Sequence, residues 1–184
     1  MTSVSHTTRP QRPGETDGVD YFFVDPARFE QMAKDDGFLE HAQVFGHCYG
    51  TSRHAVEKAI KSNHSVLLDI DWQGAQQVRA AFKEAVSVYI LPPSVEVLAQ
   101  RLADRGRETP KQISARLDEA ASEMSHYGEY DHILVNSEFD QALGELEALI
   151  HRGEPPESGR GFDVAALVDC AKSVRLKTSE TANL

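Results

Sequence analysis

Residues 65–71 read Ser65-Val66-Leu67-Leu68-Asp69-Ile70-Asp71, a short and nearly continuous apolar run ending in acids. The run is too short for a typical buried helix. Apolar residues on both faces suit a strand covered from two sides, the usual state of a parallel sheet. The acids would then stand at the carboxyl edge of that sheet, where open α/β folds bind ligands. Val86–Leu91 is a second run of this kind, stopped by Pro92-Pro93, and His132-Ile133-Leu134-Val135-Asn136 is a third. Helical patterns surround them. Pro26–Lys34 sets Phe29, Met32 and Ala33 at helical spacing, and Ser52–Lys61 sets Ala55, Val56, Ala59 and Ile60 on one face. Gln73–Phe82, Val95–Ala103 (with Ser94 as N-cap), Lys111–Met124 and Asp140–His151 follow. Strands alternating with helices predict an α/β domain with a largely parallel sheet.

Elsewhere, Phe38–Phe45 reads as extended, with Gly46 and Gly50 bracketing a turn around Tyr49. Gly153-Glu154-Pro155-Pro156-Glu157-Ser158-Gly159 reads as a linker. Residues 1–152 are therefore expected to form the main domain. Residues 153–184 would hold the linker, a helix over Asp163–Arg175 and a disordered end. The 184 residues are 40% hydrophobic and 26% charged, ordinary for a globular domain. A net charge of −10 argues against general affinity for nucleic acid or anionic membrane. An anionic ligand must then be held by a local arginine cluster working against the overall field. Cys48 and Cys170 show no metal or redox spacing and read as reduced thiols. With no apolar stretch of membrane length and no signal-peptide core, a cytoplasmic protein is expected.

Such an arginine cluster stands near the start, in Ser3-Val4-Ser5-His6-Thr7-Thr8-Arg9-Pro10-Gln11-Arg12-Pro13-Gly14-Glu15. The prolines fix φ and disfavour helix before them, so Arg9 and Arg12 sit on a stiff, extended loop. Two guanidinium forks presented this way suit a phosphate group. Read one at a time, the residues keep plainer alternatives. The loop could be a solvated basic tail, and Tyr21 and Tyr49 could be half-buried packing residues. Asp69 and Asp71 could cap the helix after a strand, and Arg101 and Arg105, four apart, could share a solvated helix face. Trp72 should pack. His41, His47 and the other histidines have no convergent spacing and read as surface or packing residues.

Taken in order, a larger set of motifs changes the weight of these readings. They are VSHTTRPQRPGE (4–15), DGVDYFFV (17–24), FLEHAQVFGHCYGTS (38–52), LLDIDWQGAQQV (67–78), ILPPS (90–94), RLADRGRE (101–108), ISARL (113–117) and SHYGEYDHILVN (125–136). From Val4 to about His151 the chain resembles the guanylate kinases, nucleoside monophosphate kinases that move a phosphoryl group from ATP to GMP. The resemblance implies that Arg9, Arg12, Tyr21 and Tyr49 grip the GMP phosphate. It implies that Glu40 accepts from the guanine N1–H and amine, with Ser5 and Thr51 on the base edge. Adenine, whose N1 is an acceptor, would be mismatched with that carboxylate. Asp69 and Asp71 would lie near the substrate and the Mg²⁺ that accompanies ATP. Arg101, Arg105 and Arg116 would close over the triphosphate and stabilise transferring charge, and Asn136 would lie beside the donor adenine.

One family element has no counterpart in these residues. No GxxxxGK(S/T) occurs, and the family pattern starts after the strand, phosphate loop and helix that precede it in guanylate kinases. The expectation is an α/β, parallel-sheet, P-loop nucleoside-monophosphate-kinase-like domain missing its first strand, P-loop and first helix. Weak or no turnover, uncertain ATP binding and an exposed sheet seam open to self-association go with it. A polypeptide starting further upstream would be an ordinary guanylate kinase. The alternatives are a catalytically inactive GMP-binding or protein-interaction module, or a fragment that does not fold.

Overall fold

The computed structural model describes residues 1–104, 106 and 109–181, and it divides into two compact units, one spanning Met1–Ala85 and one starting at Val86. The first unit holds a four-stranded sheet of β1 (His6–Thr7), β2 (Phe22–Phe23), β3 (Phe38–Val44) and β4 (His47–Ser52), in the order β2-β1-β4-β3. β1 runs parallel to β2 and antiparallel to β4, and β3 and β4 form an antiparallel hairpin. The hairpin turns at Phe45-Gly46, both with positive φ, which matches the right-handed twist of the flanking strands. The expected turn around Tyr49 is therefore displaced. Tyr49 and Gly50 lie inside β4, opposite Ala42 and His41. Gly50 belongs in a strand for a packing reason: a Cβ there would come within 2.9 Å of the Phe38 ring.

Three helices complete this unit: α1 (Pro26–Lys34), α2 (Arg53–Lys61) and α3 (Trp72–Ala81). Each starts on an accepting side chain, from Asp25, Ser52 and Asp71 respectively. The buried rings of Phe29 and Phe38 lie 4.5 Å apart, and Leu39, Val56 and Val78 form a second cluster.

Residues 65–71 depart from expectation. They form no ladder, only an isolated parallel bridge between Leu67 and Thr2, fixed by Ser3 N–H to the Leu67 carbonyl (3.1 Å) and Leu67 N–H to the Met1 carbonyl (2.8 Å). Val66, Leu68 and Ile70 pack on the Leu39–Val56–Val78 cluster, while Leu67 is 45% exposed. The run keeps the two-residue alternation of a strand but buries one face only. The expected largely parallel sheet is accordingly a mixed, mainly antiparallel sheet in this unit, with a separate parallel pair in the second.

That pair is β5 (Val88–Leu91) and β6 (His132–Val135), in register from Val88↔His132 to Leu91↔Val135. Around it lie α4 (Val95–Asp104), α5 (Pro110–Met124), a 3₁₀ turn over Ser125–Glu129, α6 (Phe139–Arg152) and α7 (Val164–Thr181). Ser94 caps α4 through the Val97 N–H, and Thr109 and Gln112 form a reciprocal capping box on α5. Leu91, Val95, Ala121 and Met124 share a buried cluster with Val164, Leu167, Val168 and Ala171 of α7. α7 runs to Thr181, beyond the expected end at Arg175.

The supposed linker is fastened down. The Ser158 N–H and hydroxyl both donate to the Glu145 carboxylate, and the Ser158 oxygen accepts from the Val135 N–H at 3.0 Å. Gly159 lies so close to the Ile133 carbonyl that no Cβ would fit. Composition marked these residues as a break between helices, whereas their polar groups finish the edge of β6. Among the described residues, no helix is long and apolar enough to cross a membrane.

Leu91, 1% exposed in the buried cluster of the second unit, should dominate that unit's stability. Leu91→Ala is expected to cost about 2–5 kcal/mol in urea unfolding. Its exposed neighbour Ile90 should cost under about 0.5 kcal/mol when cut to alanine. Equal costs at both positions would contradict the packing described.

Candidate functional site

The residues expected to grip phosphate are organised by the end of β1. Thr7 is fully buried, and its hydroxyl donates to the Cys48 carbonyl (3.0 Å) while accepting from the Arg9 N–H (3.1 Å). This pair of bonds turns the chain out of the sheet at Arg9. The Arg9 guanidinium then lies over the rings of Tyr21 (5.4 Å) and Phe23 (5.7 Å), a cation–π arrangement. Its fork meets the Glu15 carboxylate twice, at 2.7 and 3.0 Å, and donates to the Pro10 carbonyl at 2.8 Å. The Tyr49 hydroxyl also favours the charged form of Arg9.

Two freely presented forks were expected; the structure shows one buried and engaged. Arg9 is 8% exposed because Glu15 neutralises it and the two rings cover it. Arg12 is exposed, with its backbone N–H donating to Glu15 at 2.7 Å. The Arg9 hydrogen bonds, followed by that of the Arg12 N–H, hold the Glu15 carboxyl down to about 2. Tyr21 and Tyr49 meet edge to face, 6.0 Å between centroids. Burial, reinforced by Tyr49 and Asp69, pushes the Tyr21 hydroxyl up, so it stays a neutral donor.

Glu40 is the second centre. A register shift between Phe38 and Glu40 breaks the alternation of β3, so that Phe38, Leu39 and Glu40 are all buried in succession. Glu40 is 3% exposed and sits opposite the fully buried Thr51, whose hydroxyl and N–H favour its charged form. Ser5 Oγ lies 3.5 Å from Thr51 Oγ1. Burial pushes the Glu40 carboxyl above its ordinary value, the Thr51 bonds oppose this, and the nearby Asp71 charge adds to it. Ser5, Glu40 and Thr51 are thus brought together, as are Arg9, Tyr21 and Tyr49. Thr7, paired with Tyr49 across the β1–β4 ladder, places both groups on one small sheet.

The two strand-end acids divide. Asp71 is the N-cap of α3, its oxygens accepting from the Gly74 N–H and the Gln73 side-chain amide at 2.9 Å each. The helix-capping alternative therefore holds for it. Asp69 is exposed and acts on Tyr21 only at a distance. In the second unit, Arg101 donates to the carbonyls of Asn136 (2.8 Å) and Ser137 (2.9 Å), which brings two of the donor-side candidates together at the end of β6. Arg116 is partly buried on α5, and Arg105 lies outside the described residues. Thr7 and Glu15 escaped the sequence reading although both lie within the quoted motif. The available signal was the acid that closes an arginine-bearing loop, which needs a counter-charge wherever an arginine is buried.

Residues 1–153 match the family model for guanylate kinase. A guanylate kinase of Alkalilimnicola ehrlichii is 54% identical over 159 residues, 84% of this chain and 78% of that protein. A guanylate kinase of Escherichia coli strain K12 is 52% identical over 150 residues, 82% of this chain and 72% of that protein. The crystal structure of guanylate kinase from Anaplasma phagocytophilum superposes with a TM-score of 0.73 at 36% identity, covering 92% of this chain and 83% of that one. With its ordered motifs, its α/β architecture and these likenesses, the chain belongs to the guanylate kinase family.

Proposed function

We propose that the first unit binds GMP as a phosphoryl acceptor, for ATP-dependent phosphorylation of GMP to GDP. The carrying observation is Glu40, a carboxylate buried where its ionised form is disfavoured and served by Thr51 from one side. Guanine's N1–H and exocyclic amine are the donor pair that would complete its bonding, and adenine offers no such pair at that edge. The phosphate would sit by Arg9 and the hydroxyls of Tyr21 and Tyr49, with the exposed Arg12 as a second fork. Glu15 would keep the Arg9 guanidinium oriented before the ligand arrives.

The donor side rests on sequence alone. Arg101, Arg105 and Arg116 are proposed to stabilise charge on the transferring group, and Asn136 to line the adenine side. Arg101 must exchange its carbonyl partners for phosphate to do so. Among the described residues no group of three His, Cys, Asp or Glu is placed to hold a metal, and Asp71 is committed to its cap. These residues do not fit a protein-held cation, and Mg²⁺ would enter with the ATP substrate. The 184 residues contain no GxxxxGK(S/T), the pattern whose backbone N–H groups and lysine cradle the triphosphate. That favours a second reading for this polypeptide, GMP binding with little turnover, which a coupled ADP-production assay tests directly.

Calorimetry should show GMP binding at least tenfold tighter than AMP, since a buried acceptor left without donors is costly. Equal affinities would overturn the assignment. Arg9→Ala should weaken GMP about 10–100-fold, as expected for a lost charge-assisted bond, and leave guanosine unchanged. Loss of guanosine binding would instead point to a misplaced base pocket.

A pH effect follows from Glu40. Its folded-state pKa is raised, so the native protein holds this proton more tightly than the unfolded chain. The Glu40 contribution therefore falls as pH rises from the ordinary 4.5 through the raised value, and then stays low. Glu40→Gln should raise the Tm at pH 7 and flatten that part of the stability curve, while removing the preference for GMP over AMP. A variant less stable than wild type at pH 7 would contradict this.

A further inference from the structure

Gly74 stands in the first turn of α3, its N–H held by Asp71 at 2.9 Å. Glycine is a poor helix former, and no positive φ requires one here. Space does. A Cβ on residue 74 would come 2.5 Å from Glu40 Oε2 and 3.1 Å from Glu40 Cδ, with Ile70 Cβ at 3.3 Å. The helical Gly144, by contrast, has nothing within 4 Å of its would-be Cβ.

α3 also has little freedom to retreat. One turn further on, the Gln77 side-chain amide donates to the His41 carbonyl at 2.9 Å and accepts from the His41 N–H at 3.1 Å. This clamp fixes the helix to the strand residue next to Glu40. With helix and strand both held, an added side chain at 74 must displace the carboxylate itself. Thr51, the partner of Glu40 across the β3–β4 ladder, also interacts with the carboxylate, and Gly74 forms a wall of its site.

We propose that Gly74 is a positioning residue for base selection: its missing side chain sets the place of the Glu40 carboxylate and hence the fit to guanine's donor pair. This rests on the reading of Glu40 as the base-recognition group. The backbone at 74 has no positive φ and alanine is the better helix former, so a loss on adding the methyl acts through Glu40 and not through the helix.

The test is a double-mutant cycle on the full chain, with wild type, Gly74→Ala, Glu40→Ala and the double variant titrated with GMP, IMP and AMP. IMP lacks the exocyclic amine. Gly74→Ala is expected to lose at least tenfold in GMP affinity and to bring the GMP-to-IMP ratio close to one. On the Glu40→Ala background the same change should alter GMP affinity less than about twofold, because the atom that the Cβ meets is gone. A preserved GMP-to-IMP ratio, or an equal loss on both backgrounds, overturns the proposal and leaves the base reading intact. A wild type that does not prefer GMP to AMP overturns both. If Gly74→Ala alone fails to fold, restored cooperative unfolding in the double variant supports the clash with Glu40, and continued failure refutes it.

Discussion

A carboxylate enclosed by two strands and a helix must be stabilised by donors or carry a proton, and Glu40 is in that position. Much of the first unit is arranged around it. The irregular register of β3 turns it inward, Thr51 donates to it from β4, and Gly74 leaves it room against α3. Each of these features is locally unfavourable or unusual. A broken strand alternation, a buried acid and a helical glycine all cost stability. Together they place a buried carboxylate between two strands and a helix, the arrangement that the proposed recognition of a donor pair calls for.

Arg9 solves the opposite electrostatic problem. In a chain of net charge −10, a cation is readily held, and the Glu15 carboxylate takes most of the Arg9 fork. The stacked faces of Tyr21 and Phe23 cover what Glu15 does not. Burial of this kind is tolerable only because the pair is bidentate and its remaining donors find carbonyl or phenol oxygens. A phosphate approaching this loop meets a guanidinium already fixed in orientation, so little side-chain entropy remains to be lost on binding. Arg9 is thus buried and fixed while Arg12 is exposed, and under the proposed function the first would be preset and the second would close on the ligand.

Much of this was legible in the sequence. Ser94 caps its helix as the chain announces, because capping is a local interaction. The grouping of Arg9, Tyr21 and Tyr49, and of Ser5, Glu40 and Thr51, came from the family motifs, and the residues of each set lie together around the sheet. What failed were inferences about partners far away in the chain. Residues 65–71 carry a strand's pattern, but a ladder needs a continuous partner strand, and Leu67 makes one isolated bridge to Thr2. The segment after Arg152 has a linker's composition, yet Ser158 reaches Glu145 and Val135. Glu15 was hidden for a similar reason, since nothing local says that a particular arginine will be buried and need a counter-charge.

The claim that Glu40 reads guanine is tested most directly by following its side-chain carboxyl in a ¹³C-detected NMR titration, free and with nucleotide bound. The account predicts a midpoint above the ordinary 4.5 in the free chain. Saturating GMP should lower it, because donors to the carboxylate favour its charged form, and AMP should leave it in place. A midpoint that GMP does not move would contradict the account.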